Sequence, residues 1–328
     1  MEAWLITLIV ILCVIFTILF VKYYFVMKIK WDNSATCLVG KTVLITGSNI
    51  GIGYNTALDF AKRGARVILA CRNQEKAEDA RAKIVDATGN SNVVVKIVDL
   101  SSLNSIRKFT KEINETEERL DILVNNAGIG CNDHSYTVDG LSLTMQSNHF
   151  GPFLLTILLI DLLKKSSPSR IVTVSSDLAF IGKININDLN RPVGTIFAKA
   201  LDYSNTKLCN LLFTTELAKK LDTTGVTANA VHPGAVQTDF LKQPKTFWLK
   251  MLKISMKLFY RTTEAGAQTS IYVSVSKDIE GITGSFYIDC KKTSMPRSAQ
   301  NADLCRKLWE KSEEFVKLTA EEKQCFKH

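Results

Sequence analysis

Thr46-Gly47-Ser48-Asn49-Ile50-Gly51-Ile52-Gly53 is the stretch on which the reading of the fold turns. It ends a β-branched run, Thr42-Val43-Leu44-Ile45-Thr46, and opens a helix-length segment over 51–63. Glycines between a strand and a helix let the backbone approach a diphosphate, whose charge then meets the helix N-terminus. The alternation continues outward from this turn. The sequence predicts strands at 66–70, 93–98, 121–125, 170–175 and 225–231, and helices at 74–88, 102–118, 139–165 and 203–222. The strand runs are apolar throughout, as strands buried on both faces are. Strands joined by crossover helices form a parallel sheet covered by helices. No Pro/Gly-rich linker divides 40–295. The expected fold is therefore α/β, a single Rossmann-type doubly wound parallel sheet with flanking helices.

The ends of the other strands carry the rest of a dinucleotide site. The second ends Ala70-Cys71-Arg72. A site specific for NAD normally places an acid there to bind the ribose 2′-hydroxyl. Arg72 instead offers a planar fork to a 2′-phosphate, which points to NADP(H). Asp99-Leu100 closes the third strand; Asp99 is expected either to bond an adenine edge or to cap the next helix with Ser101 and Ser102. The fourth strand leads into Asn125-Asn126-Ala127-Gly128, whose small residues again let backbone near the cofactor.

Ser176 follows the fifth strand, and Tyr203 and Lys207 follow it at YxxxK spacing. On a helix, residues four apart share a face, so phenol and ammonium project together. A neighbouring cation lowers the pKa of a phenol, which then exchanges a proton closer to neutral pH. A serine hydroxyl can hold a carbonyl oxygen while hydride moves.

Together, Thr46-Gly47-xxx-Gly51-x-Gly53, Asn125-Asn126-Ala127-Gly128, Asn148, Ser176, Tyr203-xxx-Lys207 and His232-Pro233-Gly234 resemble the short-chain dehydrogenase/reductase family over about residues 38–295. The resemblance implies a seven-stranded Rossmann domain with no separate substrate domain. It implies that Tyr203 is the general acid/base, and that Lys207 lowers its pKa and binds the nicotinamide ribose. Ser176, rather than Ser175, would orient the substrate oxygen, and Asn148 would hold a water linking Lys207 to solvent. Cofactor contacts would come from Gly47, Ser48, Asn49, Ile50, Gly51, Ile52 and Gly53, then Arg72, Asp99 and Leu100, then Asn126, Ala127 and Gly128. The loop of Pro233, Gly234, Val236 and Thr238 would cover the nicotinamide. Ala70-Cys71-Arg72, Val231-His232-Pro233-Gly234, the long gap from Ser176 to Tyr203, EAGAQTS at 264–270 and Tyr287-Ile288-Asp289-Cys290-Lys291 further resemble the microsomal retinol dehydrogenase branch. That branch implies reduction of all-trans-retinal; steroid, fatty aldehyde and isoprenoid carbonyls stay open, as does a non-catalytic dinucleotide-binding scaffold.

Outside this domain, Ala3 to Val21 is an uncharged apolar run, and with its flank it is long enough for a hydrocarbon core of about 30 Å. Glu2 precedes it and Lys22, Lys28 and Lys30 follow, which predicts a retained anchor at 1–27 rather than a cleaved signal peptide, with the rest in the cytosol. The N-terminus lacks the Arg-rich, amphipathic character of a transit peptide, which favours the endoplasmic reticulum over the alternative of a mitochondrial membrane. Residues 28–39 read as a linker and 296–328 as a charged helical tail. Lys245–Arg261, KTFWLKMLKISMKLFYR, interleaves five basic residues with apolar ones. It reads as an amphipathic lid meeting a bilayer surface, or as a core-packing helix with a solvated lysine face. The 46% hydrophobic and 22% charged composition excludes a disordered or collagen-like chain. The net charge of +9 allows an anionic partner, yet no nucleic-acid module is present. The eight cysteines and four histidines show no metal-ligand spacing, so no metal is expected.

Overall fold

The computed structural model describes residues 2–23, 30–130, 135–190, 196–236 and 260–326. Its elements, in chain order, are α1 (Glu2–Lys22), β1 (Thr42–Thr46), α2 (Gly51–Lys62), β2 (Arg66–Cys71), α3 (Gln74–Thr88), β3 (Val93–Ile97), α4 (Leu103–Thr116) and β4 (Ile122–Asn125). After a π-helical turn at Gln146–Phe150 come α5 (Gly151–Leu158), α6 (Ile160–Lys165), β5 (Ser169–Val174), α7 (Ile196–Lys220), β6 (Val226–His232), α8 (Thr263–Val275), β7 (Phe286–Ile288), β8 (Lys291–Thr293) and α9 (Ala302–Phe315).

The strands form one sheet in the order β3-β2-β1-β4-β5-β6-β7-β8. Strands β1 to β7 are parallel, and β8 pairs antiparallel with β7. The sheet therefore has eight strands among the described residues, one more than the family resemblance implied, because a tight turn at Asp289-Cys290 folds the chain back on β7. Strand order reverses between β1 and β4, and that switch point opens a crevice at the C-terminal ends of the strands.

Successive side chains along a strand point to opposite faces. Leu44 accordingly joins a core with Phe109, Phe153, Leu212 and Trp309, from α4, α5, α7 and α9. Its neighbours Val43 and Ile45 join a second core with Phe60, Ile84 and Ile271, from α2, α3 and α8. Helix α9, expected as part of a charged tail, thus belongs to the sheet's own core. Its charges lie on the other face, in pairs such as Arg306 with Asp303 and Glu310.

Two further segments differ from expectation. The single helix predicted over 139–165 is broken into a short turn at Leu143–Met145, the π-helical turn, α5 and α6. Pro152 has no N–H to donate to the carbonyl four residues back, that of Asn148, so the α-helical ladder cannot run through. The described part of the expected linker, 30–38, is a docked strap. The Asp32 N–H donates to Gln268 of α8, and its carboxylate, almost fully buried, pairs with Arg63 at 2.9 Å. Arg63 also donates to the Ser34 carbonyl, Thr36 donates to the Val275 carbonyl, and Leu38 enters the core. The Lys30 carbonyl accepts from the Cys290 thiol beside β7.

Helix α1 spans 21 residues, about 32 Å at 1.5 Å per residue, and its described side chains from Trp4 to Phe20 are exposed. Some of its side chains lie outside the described set, and the described residues alone contain no helix long and apolar enough to cross a membrane. A membrane role for α1 therefore rests on its sequence.

Candidate active site

The turn after β1 is shaped by glycine at two positions in the left-handed region, Gly47 (φ +64°) and Gly51 (φ +67°). Gly53 is needed for a different reason. A Cβ there would stand 2.5 Å from the Gly47 carbonyl oxygen and would also strike the Asn126 amide. That amide donates to the Thr46 and Gly47 carbonyls, at 2.8 and 3.2 Å. The Thr46 hydroxyl in turn accepts from the Asn126 and Ala127 N–H groups. The loops after β1 and β4 are thus pinned to each other. Replacing Gly53 by alanine is expected to cost about 1–3 kcal/mol and to abolish cofactor binding. A thermal melt with a nucleotide titration checks this, and wild-type affinity in the variant would refute it.

No side chain caps the N-terminus of α2 at Ile50, so its first N–H groups remain available to an anion. They face a cavity of about 660 Å³. Gly47, Asn49, Ile50, Gly51, Ile52 and Gly53 line it from β1 and α2, and Arg72, Asp99 and Leu100 from β2 and β3. Asn126, Ala127 and Gly128 line it from β4. Arg72 is exposed at the rim and forms no ion pair with the described residues. One Asp99 oxygen accepts from the Ser101 N–H and hydroxyl, while Ser102 is the residue that caps α4. Asp99 therefore lines the cavity without being the cap. Ser48 points away from the cavity: its buried hydroxyl donates to the Ile45 carbonyl and lies 3.5 Å from the Cys71 sulfur. The shape fits a nicotinamide dinucleotide, with a glycine cradle and an uncapped helix end on one side and, on the other, a guanidinium that has no ion pair among the described residues.

At the other end of the crevice, α7 presents Tyr203 and Lys207 on one face, with Nζ 5.5 Å from the phenol ring centre. Lys207 Nζ donates to the Val174 carbonyl at the end of β5, at 2.9 Å. Burial pushes its ammonium down to about 8. Asn148 sits in the π-helical turn. Its Oδ1 accepts from the Ile129 N–H, and its Nδ2 donates to the Ile129 carbonyl and to Thr206 of α7. A Cβ built on Gly128 would lie 3.4 Å from Asn148 Oδ1 and 3.5 Å from Lys207 Nζ, so both groups border the same small volume. Ser176 begins a 3-10 turn, accepting from the Leu178 N–H and donating to Asp177. Ser175 is spent on structure, its hydroxyl donating to the Lys207 carbonyl at 2.7 Å. His232 accepts from the Asp177 N–H, and burial lowers its pKa against the opposing pull of the Asp177 carboxylate.

Pro233, Gly234 and Val236 follow β6 at this end. Gly234 (φ +83°) lies against the Arg261 guanidinium, which is paired with Asp289. The Arg261 N–H donates to the Ala235 carbonyl, and Val236 bridges to Arg261 in parallel register. Arg261 thereby clasps the two ends of the segment 237–259. Thr238 and nearly all of 245–261 fall outside the described residues. Sequence reasoning missed this clasp, having counted Arg261 only as a charge. It also missed Thr263, which lines the cavity and accepts from Asn55.

A family model described as short chain dehydrogenase matches residues 41–247. Mouse retinol dehydrogenase 14 is 43% identical over 289 residues, covering 84% of this chain and 86% of the relative. Human retinol dehydrogenase 11 is 41% identical over 288 residues, covering 87% and 89%. Among solved structures, an uncharacterised protein of Mycobacterium paratuberculosis superposes with a TM-score of 0.70 at 32% identity, covering 88% of this chain and 98% of that one. A short-chain dehydrogenase from Shigella flexneri complexed with NADP shares the fold, with a TM-score of 0.62 at 23% identity over 79% of this chain and all of its own. Glycine cradle, lysine-backed phenol and sequence relatives agree: this chain belongs to the short-chain dehydrogenase family, in its retinol dehydrogenase branch, and is an oxidoreductase acting on CH–OH groups.

Proposed function

We propose that this protein is a membrane-anchored, NADP(H)-linked reductase of an apolar carbonyl, with all-trans-retinal as the favoured substrate. The observation that carries the apolar substrate is the wall beside Ser176. Leu178, Phe180 and Ile181 are exposed on the 3-10 turn that Ser176 begins, so apolar side chains adjoin the substrate-orienting serine. The names of the relatives favour a retinoid among apolar carbonyls. Arg72 at the end of β2, with no acid beside it, supports the phosphorylated cofactor.

When bound, the nicotinamide supplies the hydride. Ser176 turns its proton from Asp177 to the substrate oxygen and holds the carbonyl in place. Tyr203 gives its phenol proton to that oxygen as it becomes a hydroxyl. Lys207, held by the Val174 carbonyl, keeps a positive charge beneath the ring and stabilises the phenolate that remains. Asn148 and Gly128 border the route by which a proton returns toward Lys207. In the reverse direction the same groups take the proton from an alcohol.

The anchor is α1, whose apolar run Ala3–Val21 and following lysines orient the catalytic domain to the cytosol. The basic apolar segment 245–261 would meet the same bilayer. Detergent-solubilised protein is expected to oxidise NADPH with all-trans-retinal faster than with a panel of steroid and fatty carbonyls. Turnover of only another carbonyl would move the substrate assignment. Dinucleotide binding without turnover of any would revive a scaffold role. Alkaline carbonate should leave the chain in the membrane pellet, and its release would refute the anchor.

A further inference from the structure

His149, next to Asn148 in the π-helical turn, is a buried titratable group that the mechanism does not use. It lies in a box of aromatic rings, with Phe150, Phe153 and Phe213 at centroid distances of 5.2, 6.3 and 6.2 Å. Its Nε2 is 2.9 Å from the Ser312 hydroxyl of α9. That hydroxyl already donates its one proton to the Leu308 carbonyl, at 2.7 Å. With its own proton so engaged, the Ser312 oxygen can accept from an Nε2–H of the ring. Burial pushes the imidazole down to about 3, against a smaller opposing effect of Asn210, so the ring stays neutral.

A phenylalanine would fill this box without burying two polar nitrogens, so space-filling alone does not account for an imidazole. What the imidazole adds is a directed bond to α9. One turn further along α9, Phe315 packs against Phe150 with tilted rings, centroids 4.8 Å apart. Helix α9 therefore holds the π-helical turn at two points, His149 and Phe150. From the opposite side Asn148 is tied to Ile129 and Thr206. A π-helical turn has a competing α-helical register, and a shift between them would rotate Asn148 away from Lys207.

We infer that His149 and Ser312 are positioning residues: through their hydrogen bond the C-terminal helix locks the π-helical turn and aims the Asn148 amide beside Lys207. This rests on the catalytic reading of Asn148 given above. It assigns a task to α9, in which the sequence alone showed only a charged helix.

The test is steady-state kinetics on full-length His149→Phe, Ser312→Ala, the double variant and Ser312→Thr, with Asn148→Ala alongside. Each single removal should lower kcat by about ten- to a hundredfold, the scale of a small misplacement of a reacting group. The KM for carbonyl and the Kd for NADPH should stay within about twofold, since the cofactor cradle is untouched. The double variant should be no slower than the slower single, because both delete one hydrogen bond. Ser312→Thr keeps the hydroxyl and should restore kcat. The inference is overturned if the variants lower only the melting temperature, with kcat per folded molecule unchanged, or if the two losses multiply. Full activity in Asn148→Ala would show instead that the reading of Asn148 had failed, and the inference would fall with it. Should His149→Phe not fold, Ser312→Ala and Ser312→Thr still decide the question.

Discussion

Tyr203→Phe is expected to abolish carbonyl reduction while leaving NADPH bound. In the proposed mechanism the phenol transfers its proton to the substrate oxygen, and general acid catalysis contributes about 10²–10⁴-fold. The substituted ring still packs over Lys207, and the glycine cradle at Gly47–Gly53 is far along the crevice. A fall in kcat of about a hundred- to ten-thousandfold should therefore accompany an unchanged Kd for NADPH, read from nucleotide fluorescence. Activity within tenfold of wild type would remove Tyr203 from its role. Equal loss of nucleotide binding would show only that the fold had been damaged.

Arg72→Asp should reverse the cofactor preference. A guanidinium–phosphate bond of the charge-assisted kind contributes about 1.5–3 kcal/mol, some ten- to a hundredfold in affinity. The aspartate adds repulsion toward the 2′-phosphate and supplies an acceptor for a 2′-hydroxyl. Arg72 lies at the exposed rim, so solvent and salt weaken both effects, and about a hundredfold is an upper figure for the loss of kcat/KM with NADPH. Turnover with NADH should hold or rise. Equal losses with the two cofactors, measured side by side, would dismiss Arg72 as the phosphate ligand.

Both predictions use residues that the sequence exposes, because their chemistry is set locally. Glycines at fixed offsets after a strand, and a phenol four residues before a lysine, mean the same thing in any Rossmann crevice. A parallel sheet with helices on both faces followed from the same alternation as far as β6, whereas a seventh strand was implied only by the family resemblance and the order of the strands was not read. Facts fixed by distant partners were not legible. Ser48 belongs to the glycine turn by position, yet its hydroxyl faces inward because Cys71 packs beneath it. The break in the helix over 139–165 was available in Gly151-Pro152 and passed unread, since the apolar run on either side continues. The strap at 30–38 looked like a linker because its few apolar residues give no periodic signal. It is held instead by several polar bonds to Arg63 and by one each to Gln268 and Val275. His149 becomes meaningful only through Ser312, which lies 163 residues further along the chain.

The strap also constrains the order in which the protein can be finished. A ribosome delivers residues 30–38 early, but the Asp32 N–H bonds to a side chain 236 residues later, and the Lys30 carbonyl accepts from one 260 residues later. Until α8 and the turn after β7 have emerged, the described part of the strap has its bonds to Arg63 and the packing of Leu38, but lacks its other polar partners. Docking of the strap is therefore a closing step of synthesis. A chain stopped short of Cys290 would carry its apolar N-terminal helix on a segment that its own domain could not fully fasten.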